Sequence, residues 1–132
     1  MAKRYGLKVF VVSNGRIRVP ADPLIEMVVV TGRFDAADDW IAERITSSDV
    51  AVTSDIPLAA RCLSRDARVL DPKGKVFTEE SIGDALASRE LMAFLRDSGS
   101  ITGGPAPFEP RDRSRFLQKL DDLVQAALRE HR

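Results

Sequence analysis

The stretch Asp-Val-Ala-Val-Thr-Ser-Asp-Ile-Pro, residues 49–57, predicts a strand that leads directly into a helix. Residues 50–53 are apolar or β-branched, which is typical of a short buried strand. Pro57 suits the first turn of a helix that follows at once. Asp55 is therefore predicted to lie at the C-terminal end of a strand and to cap the next helix. In a parallel α/β sheet, this is the edge where ligands bind.

A second acidic segment precedes this strand. Residues 34–40 read Phe-Asp-Ala-Ala-Asp-Asp-Trp and predict the opening turn of another helix. Carboxylates in a first turn oppose the helix dipole for roughly 0.3–1 kcal/mol each, which is one explanation for Asp38 and Asp39. The predicted topology, however, also places them on the edge that holds Asp55, where like charges repel unless a cation offsets them. Asp38, Asp39 and Asp55 are thus candidate ligands of Mg²⁺ or Mn²⁺, which prefer oxygen donors.

Basic residues occur in two places from which they could contact phosphate. Arg16 and Arg18 lie in the predicted loop after the first strand. Arg111, Arg113 and Arg115 surround the predicted start of the last helix. In both places a solvated surface is the alternative explanation.

The order of elements predicts an α/β fold. Strands are expected at residues 7–12, 26–30, 50–53 and 68–70, with Gly6 capping a helical turn before the first. Helices are expected to begin near residues 35, 57, 78 and 112, and Thr78 is expected to cap the third. Their predicted core positions are Leu58, Ala59, Cys62 and Leu63 in the second helix, Ile82, Leu86, Met92 and Leu95 in the third, and a stripe from Phe116 to Leu128 in the last. Strands that alternate with helices predict one three-layer domain over residues 1–132, with a mostly parallel sheet.

The composition of the chain excludes several classes of protein function. The 132 residues include 20 Lys plus Arg and 20 Asp plus Glu, so no global field attracts nucleic acid and any basic surface must be local. The apolar runs are too short to span a bilayer, and no signal peptide is recognisable, so a cytoplasmic location is predicted. The chain has a single Cys, which excludes a cysteine-rich zinc site. Its single His is at the end of the chain, so a Ser/His/Asp triad is also excluded.

Four motifs together resemble a known family. They are Asp-Ala-Ala-Asp-Asp-Trp-Ile-Ala at 35–42, Thr-Ser-Asp-Ile-Pro-Leu-Ala at 53–59, Thr-Gly-Gly-Pro-Ala-Pro-Phe at 102–108 and Arg-Asp-Arg-Ser-Arg-Phe at 111–116. In this order they are similar to the bacterial YaiI/YqxD family, whose biochemical role is unassigned. That family resembles PIN-like domains, metal-dependent ribonucleases with a Rossmann-like sheet. The resemblance implies that Asp38 or Asp39 matches the acidic position that opens a helix, and that Asp55 matches the one after the Thr-x-Asp strand.

The chain departs from the family pattern at its start. The family opens with a strand that ends in Asp-x-Asp-x-Cys-Pro, followed by a helix, and this sequence contains only the last turn of that helix. Either the start is assigned too far downstream or the copy is shortened. The first interpretation is favoured, because strands 9–12 and 50–53 would otherwise lack a common neighbour and leave edges exposed.

The leading functional prediction is a Mg²⁺- or Mn²⁺-dependent nuclease acting on RNA or another nucleic acid, whose activity depends on the missing strand. The first alternative is a non-catalytic nucleic-acid-binding or regulatory module that retains the fold. The second is a phosphoacceptor domain of the receiver type, with Asp55 as acceptor and Lys73 nearby. The oligomeric state is not predicted.

Overall fold

A computed structural model describes residues 5–15, 17–32, 36–97, 99 and 108–130. Within these residues, five strands and four helices form an α/β structure, as predicted. The chain divides into two compact units, Met1–Ile45 and Thr46–Arg132, each with its own sheet. No helix in the described part is long and apolar enough to cross a membrane.

The first unit contains one parallel strand pair and one helix. Strands β1 (Val9–Ser13) and β2 (Ile25–Val29) are parallel, with Val9 opposite Ile25. β1 begins two residues later than predicted, because the first bond to its neighbour runs from the Val9 N–H to the Leu24 carbonyl at 2.6 Å. Helix α1 (Ala36–Arg44) packs on β1. Before β1, helical Tyr5 is followed by Gly6 at φ +65°, which confirms the predicted glycine cap.

The second unit is built around a three-stranded sheet. β4 (Arg68–Leu70) lies between β3 (Val50–Val52), which is parallel to it, and β5 (Val76–Phe77), which is antiparallel. The sequence did not predict β5. The turn before it is closed by Asp71, whose N–H donates to the Lys75 carbonyl at 2.9 Å and whose Oδ1 accepts from the N–H groups of Lys73 and Lys75.

Two helices cover the central strand and form the core of this unit. Helix α2 (Ile56–Leu63) and helix α4 (Pro110–Glu130) both pack on β4, and α4 also packs on β3. Cys62, Val69 and Leu70 are fully buried, and the four core positions predicted in α2 are all buried, which confirms them. From α4, Val124 and Ala127 are buried, whereas Leu117 and Leu128 of its predicted stripe are exposed.

Helix α3 (Glu79–Asp97) packs mainly on α2. Thr78 caps it as predicted: Thr78 Oγ1 accepts from the Ser81 N–H at 3.1 Å, while Ser81 Oγ accepts from the Thr78 N–H at 3.0 Å. The prediction of core positions in this helix was wrong for Met92, which is exposed, and none of the helix is fully buried. Because α3 packs on another helix at the surface, each of its apolar side chains is only partly buried.

Helix α4 starts two residues earlier than predicted, at Pro110. Asp112 stands three positions after the capping residue Glu109, and its Oδ2 accepts the Glu109 N–H at 2.9 Å. Its own N–H donates to the Glu109 carbonyl at 2.9 Å, so Asp112 closes the first turn from inside the helix.

Candidate functional site

Asp55 lies at the junction of β3 and α2, where the sequence placed it. Its Oδ1 accepts the N–H of Leu58 at 2.9 Å, and its own N–H donates to Thr53 Oγ1 at 3.0 Å. The predicted N-cap is thereby confirmed. The side chain is held in one orientation at an exposed position, and the cap uses one of its two carboxylate oxygens.

Asp38 and Asp39 lie side by side in the first turn of α1, and both are half-buried. Asp39 lines an open depression of about 400 Å³, the first-unit depression, together with residues that follow β2 and residues one turn further along α1. Thr31, Gly32 and Glu43 are among them. Asp39 and Glu43 are four positions apart and therefore share a helix face. Glu43 was not predicted as a site residue, although its spacing from Asp39 was a usable signal.

Trp40 forms the packed side of the same helix. Its ring lies 5.6 Å from the Phe10 ring, centroid to centroid, at a tilt of 51°. The Arg44 guanidinium lies 4.6 Å from its ring centroid, and Arg44 Nη1 donates to the Trp40 carbonyl at 3.2 Å. These contacts favour a packing role for Trp40 over stacking on a nucleic-acid base.

The basic candidates fall into two groups. Arg18 is exposed in the segment between β1 and β2, whereas Arg16 lies outside the described residues, as do residue 35 and residues 102–107 of the family motifs. Arg111, Arg113 and Arg115 are exposed on the first turns of α4. Arg111 pairs with Glu109 at 2.7 Å, and Arg115 Nη1 lies 4.0 Å from Asp112 Oδ1. Neighbouring acidic groups therefore offset part of this positive charge.

The predicted acidic ligands belong to different units, with Asp38 and Asp39 in the first and Asp55 in the second. Within the described ranges, no three His, Cys, Asp or Glu side chains are grouped so that they could hold one metal ion.

A second depression of about 400 Å³ lies in the second unit, and we call it the α3 groove. Residues at helical spacing on α3 form one wall, and the first residue of α2 and the residue before β5 contribute the other. The lining residues are Ile56, Lys75, Ser81, Asp84, Ala85, Ser88, Arg89 and Met92. This groove was not predicted from the sequence, because its opposite walls come from segments that only the fold brings together.

In each unit, a strand of a parallel pair leads into a helix whose start carries carboxylates, so the fold defines an α/β protein with acidic strand–helix junctions. The chain belongs to the YaiI/YqxD family, since the family model described as "Uncharacterized BCR, YaiI/YqxD family" matches residues 1–126. This confirms the resemblance found in the motifs.

Close relatives support the same assignment. A UPF0178 protein of Rhodospirillum centenum is 56% identical over 133 residues, covering 98% of this chain and 86% of the relative. A UPF0178 protein of Paramagnetospirillum magneticum is 57% identical over 129 residues, covering 98% and 85%. No solved structure matches the chain.

Proposed function

We propose that this protein is a divalent-metal-dependent nuclease with a PIN-like, three-layer fold, hydrolysing phosphodiester bonds in RNA or another nucleic acid. The observation that supports it is the position of Asp55. It lies three residues after the end of β3, a strand of a parallel pair, and caps the helix that follows; the resemblance to PIN-like domains implies an acidic residue at this place.

The donor set suits a hard cation. Asp38, Asp39 and Asp55 are the proposed ligands of Mg²⁺ or Mn²⁺, which both prefer carboxylate oxygens. A bound ion of this kind supplies an activated water and neutralises charge on the phosphate. Asp55 suits the role because the Leu58 N–H fixes one carboxylate oxygen and so orients the other.

A nuclease also needs side chains that bind the nucleic-acid backbone. Arg18, Arg111 and Arg113 are exposed and are the proposed phosphate contacts, with Arg16 and Arg115 in the same two groups. Such contacts position the substrate without reading its sequence.

The test is Mn²⁺ titration by calorimetry, together with cleavage of a fluorescently labelled RNA, on the wild type, Asp39→Asn and Asp55→Asn. Asp122→Asn is the matched control, because Asp122 is an exposed carboxylate on α4 outside the proposed site. Both site variants should bind Mn²⁺ at least about tenfold more weakly and lose cleavage, because each lacks an anionic ligand. Full activity in Asp55→Asn would show the mechanism to be wrong.

A second candidate function is nucleic-acid binding without catalysis. It is favoured by the cap itself, which gives Asp55 a structural role that needs no metal. Arg113, exposed at the start of α4, would then be the main contact. With EDTA present, Arg113→Glu should lose RNA binding while Asp55→Asn retains it. Strictly metal-dependent binding, lost in Asp55→Asn, would exclude this alternative.

A further inference from the structure

The α3 groove combines charged, hydroxyl and apolar groups on two facing walls. On α3, the residues at positions 81, 84, 85, 88, 89 and 92 form a single stripe, since they recur at intervals of three and four. Ile56 and Lys75 complete the lining from the other side. The groove has a volume of about 400 Å³, which is within the range of small-ligand sites. It could therefore hold one monomer of a flexible polymer.

Lys75 is fixed in place by the turn that precedes β5. Its N–H donates to Asp71 Oδ1 at 2.8 Å, and its carbonyl accepts the Asp71 N–H at 2.9 Å. Its ammonium group lies 5.8 Å from the centroid of the Phe77 ring. The backbone of Lys75 is therefore ordered at the edge of the groove, and its exposed side chain is available to contact an anion.

Arg89 and Asp84 bring opposite charges to the α3 wall. Both are exposed, and neither side chain forms a hydrogen bond or ion pair with another described residue. Two cations and one carboxylate leave the groove with a net positive charge. A simple anion would gain nothing from Asp84, whereas a nucleotide could place its phosphate at the cations and a ribose hydroxyl at the carboxylate.

The groove also begins next to the proposed catalytic carboxylate. Ile56, which lines it, directly follows Asp55 in the same unit. Apolar contacts to a base or sugar are available from Ile56, Ala85 and Met92. The groove thus offers phosphate, sugar and base contacts, and its lining residue Ile56 is the sequence neighbour of Asp55.

We infer that the α3 groove binds single-stranded RNA, with Lys75 and Arg89 contacting phosphates and Asp84 accepting a hydrogen bond from a ribose 2′-hydroxyl. The binding site is inferred from the geometry of the groove alone. Its role in guiding the RNA to Asp55 rests on the proposed nuclease function. The 2′-hydroxyl is the group by which a protein distinguishes RNA from DNA at a given position.

The test is fluorescence anisotropy of a labelled oligouridine and of its deoxy counterpart, with EDTA present and at several salt concentrations. The variants are Lys75→Gln, Arg89→Gln and Asp84→Asn. Arg96→Gln is the matched control, an exposed arginine on α3 outside the groove. Thermal melting followed by circular dichroism checks that every variant is folded.

Lys75→Gln and Arg89→Gln should each weaken RNA binding by about fivefold to tenfold and lower the salt slope by about one, as expected for one lost phosphate contact. Arg96→Gln should bind like the wild type. Asp84→Asn should reduce the preference for RNA over DNA. Equal RNA affinity in Lys75→Gln, Arg89→Gln and Arg96→Gln would overturn the site, and an equal affinity of the wild type for RNA and DNA would overturn the choice of RNA.

These outcomes separate the groove from the nuclease. If both groove variants lose RNA binding while the wild type shows no metal-dependent cleavage, the groove stands and the nuclease function fails. If Asp55→Asn abolishes cleavage while the groove variants bind normally, the nuclease function stands and the groove assignment fails.

Discussion

The Cα of Gly74 lies directly against the main chain of Arg115. A β-carbon built on Gly74 would come within 2.8 Å of the Arg115 carbonyl carbon and 2.9 Å of the Phe116 nitrogen. Gly74 also has φ +88°, a conformation that other residues rarely adopt. This contact fixes the turn between β4 and β5 on the first turns of α4, so it positions Lys75 as well.

Gly74→Ala should therefore destabilise the protein by about 3 kcal/mol, combining the left-handed backbone with overpacking against main-chain atoms. Urea unfolding gives the comparison with Gly83→Ala, whose added β-carbon meets no atom within 4 Å. Because Gly83 lies inside α3, that control should gain about 0.5–1 kcal/mol. Equal stability of the two variants would contradict the close approach.

At Asp55, structural and functional roles can be separated by the choice of substitution. Asn retains the N-cap, so Asp55→Asn should keep the wild-type free energy of unfolding, while Asp55→Ala should lose about 1 kcal/mol. Both substitutions remove the charge and should weaken Mn²⁺ binding alike. Urea unfolding in EDTA measures the first effect and calorimetry the second. Equal stability of the two variants would show that the bond to Leu58 contributes little.

Asp66 adopts a left-handed conformation, with φ 62°, just after α2. The Asp66 N–H donates to the Leu63 carbonyl at 2.9 Å, and the Ala67 N–H donates to the Cys62 carbonyl at 3.2 Å, which is the Schellman pattern. Asp66→Gly should raise the free energy of unfolding by about 1 kcal/mol, because glycine adopts this conformation without strain. Asp66→Val should lower it, since a β-branched residue is poorly tolerated there. The reverse order in urea unfolding would contradict this assignment.

Two large apolar residues test where the core of the second unit lies. Leu70 is fully buried on the central strand, so Leu70→Ala should cost about 3 kcal/mol in unfolding free energy. Phe94 on α3 is 67% exposed, and Phe94→Ala should change stability by less than about 0.5 kcal/mol. Urea unfolding of both variants checks the contrast, which a large loss in Phe94→Ala would refute.

The features predicted correctly from the sequence are those that depend only on neighbouring residues. The cap at Asp55, the cap at Thr78 and the glycine at position 6 were all predicted correctly, because each needs only a few neighbouring residues. The buried face of α2 was also predicted correctly, because the apolar residues of this short helix recur at helical spacing and so define a single face that packs inward.

What the sequence did not predict depends on distant partners. β5 is only two residues long, too short for any pattern, and it exists because Asp71 closes a turn that brings Val76 opposite Leu70. Met92 has the spacing of a core residue, yet the helix that carries it rests mainly on α2. The α3 groove was missed because Lys75 and Arg89 are far apart in sequence. The union of all strands in one three-layer sheet stays a prediction, as does a metal site shared by Asp38, Asp39 and Asp55.

The packing of α4 on β3 has a consequence for the order of folding. These are the last helix and the first strand of the second unit, and Val124 and Ala127 become buried only when α4 docks. During synthesis, β3 and β4 therefore leave the ribosome long before the helix that covers them. Until α4 follows, unprotected strands can pair with other nascent chains. Contacts at such long sequence separation also slow folding, so docking of α4 should be a late step in the folding of the second unit.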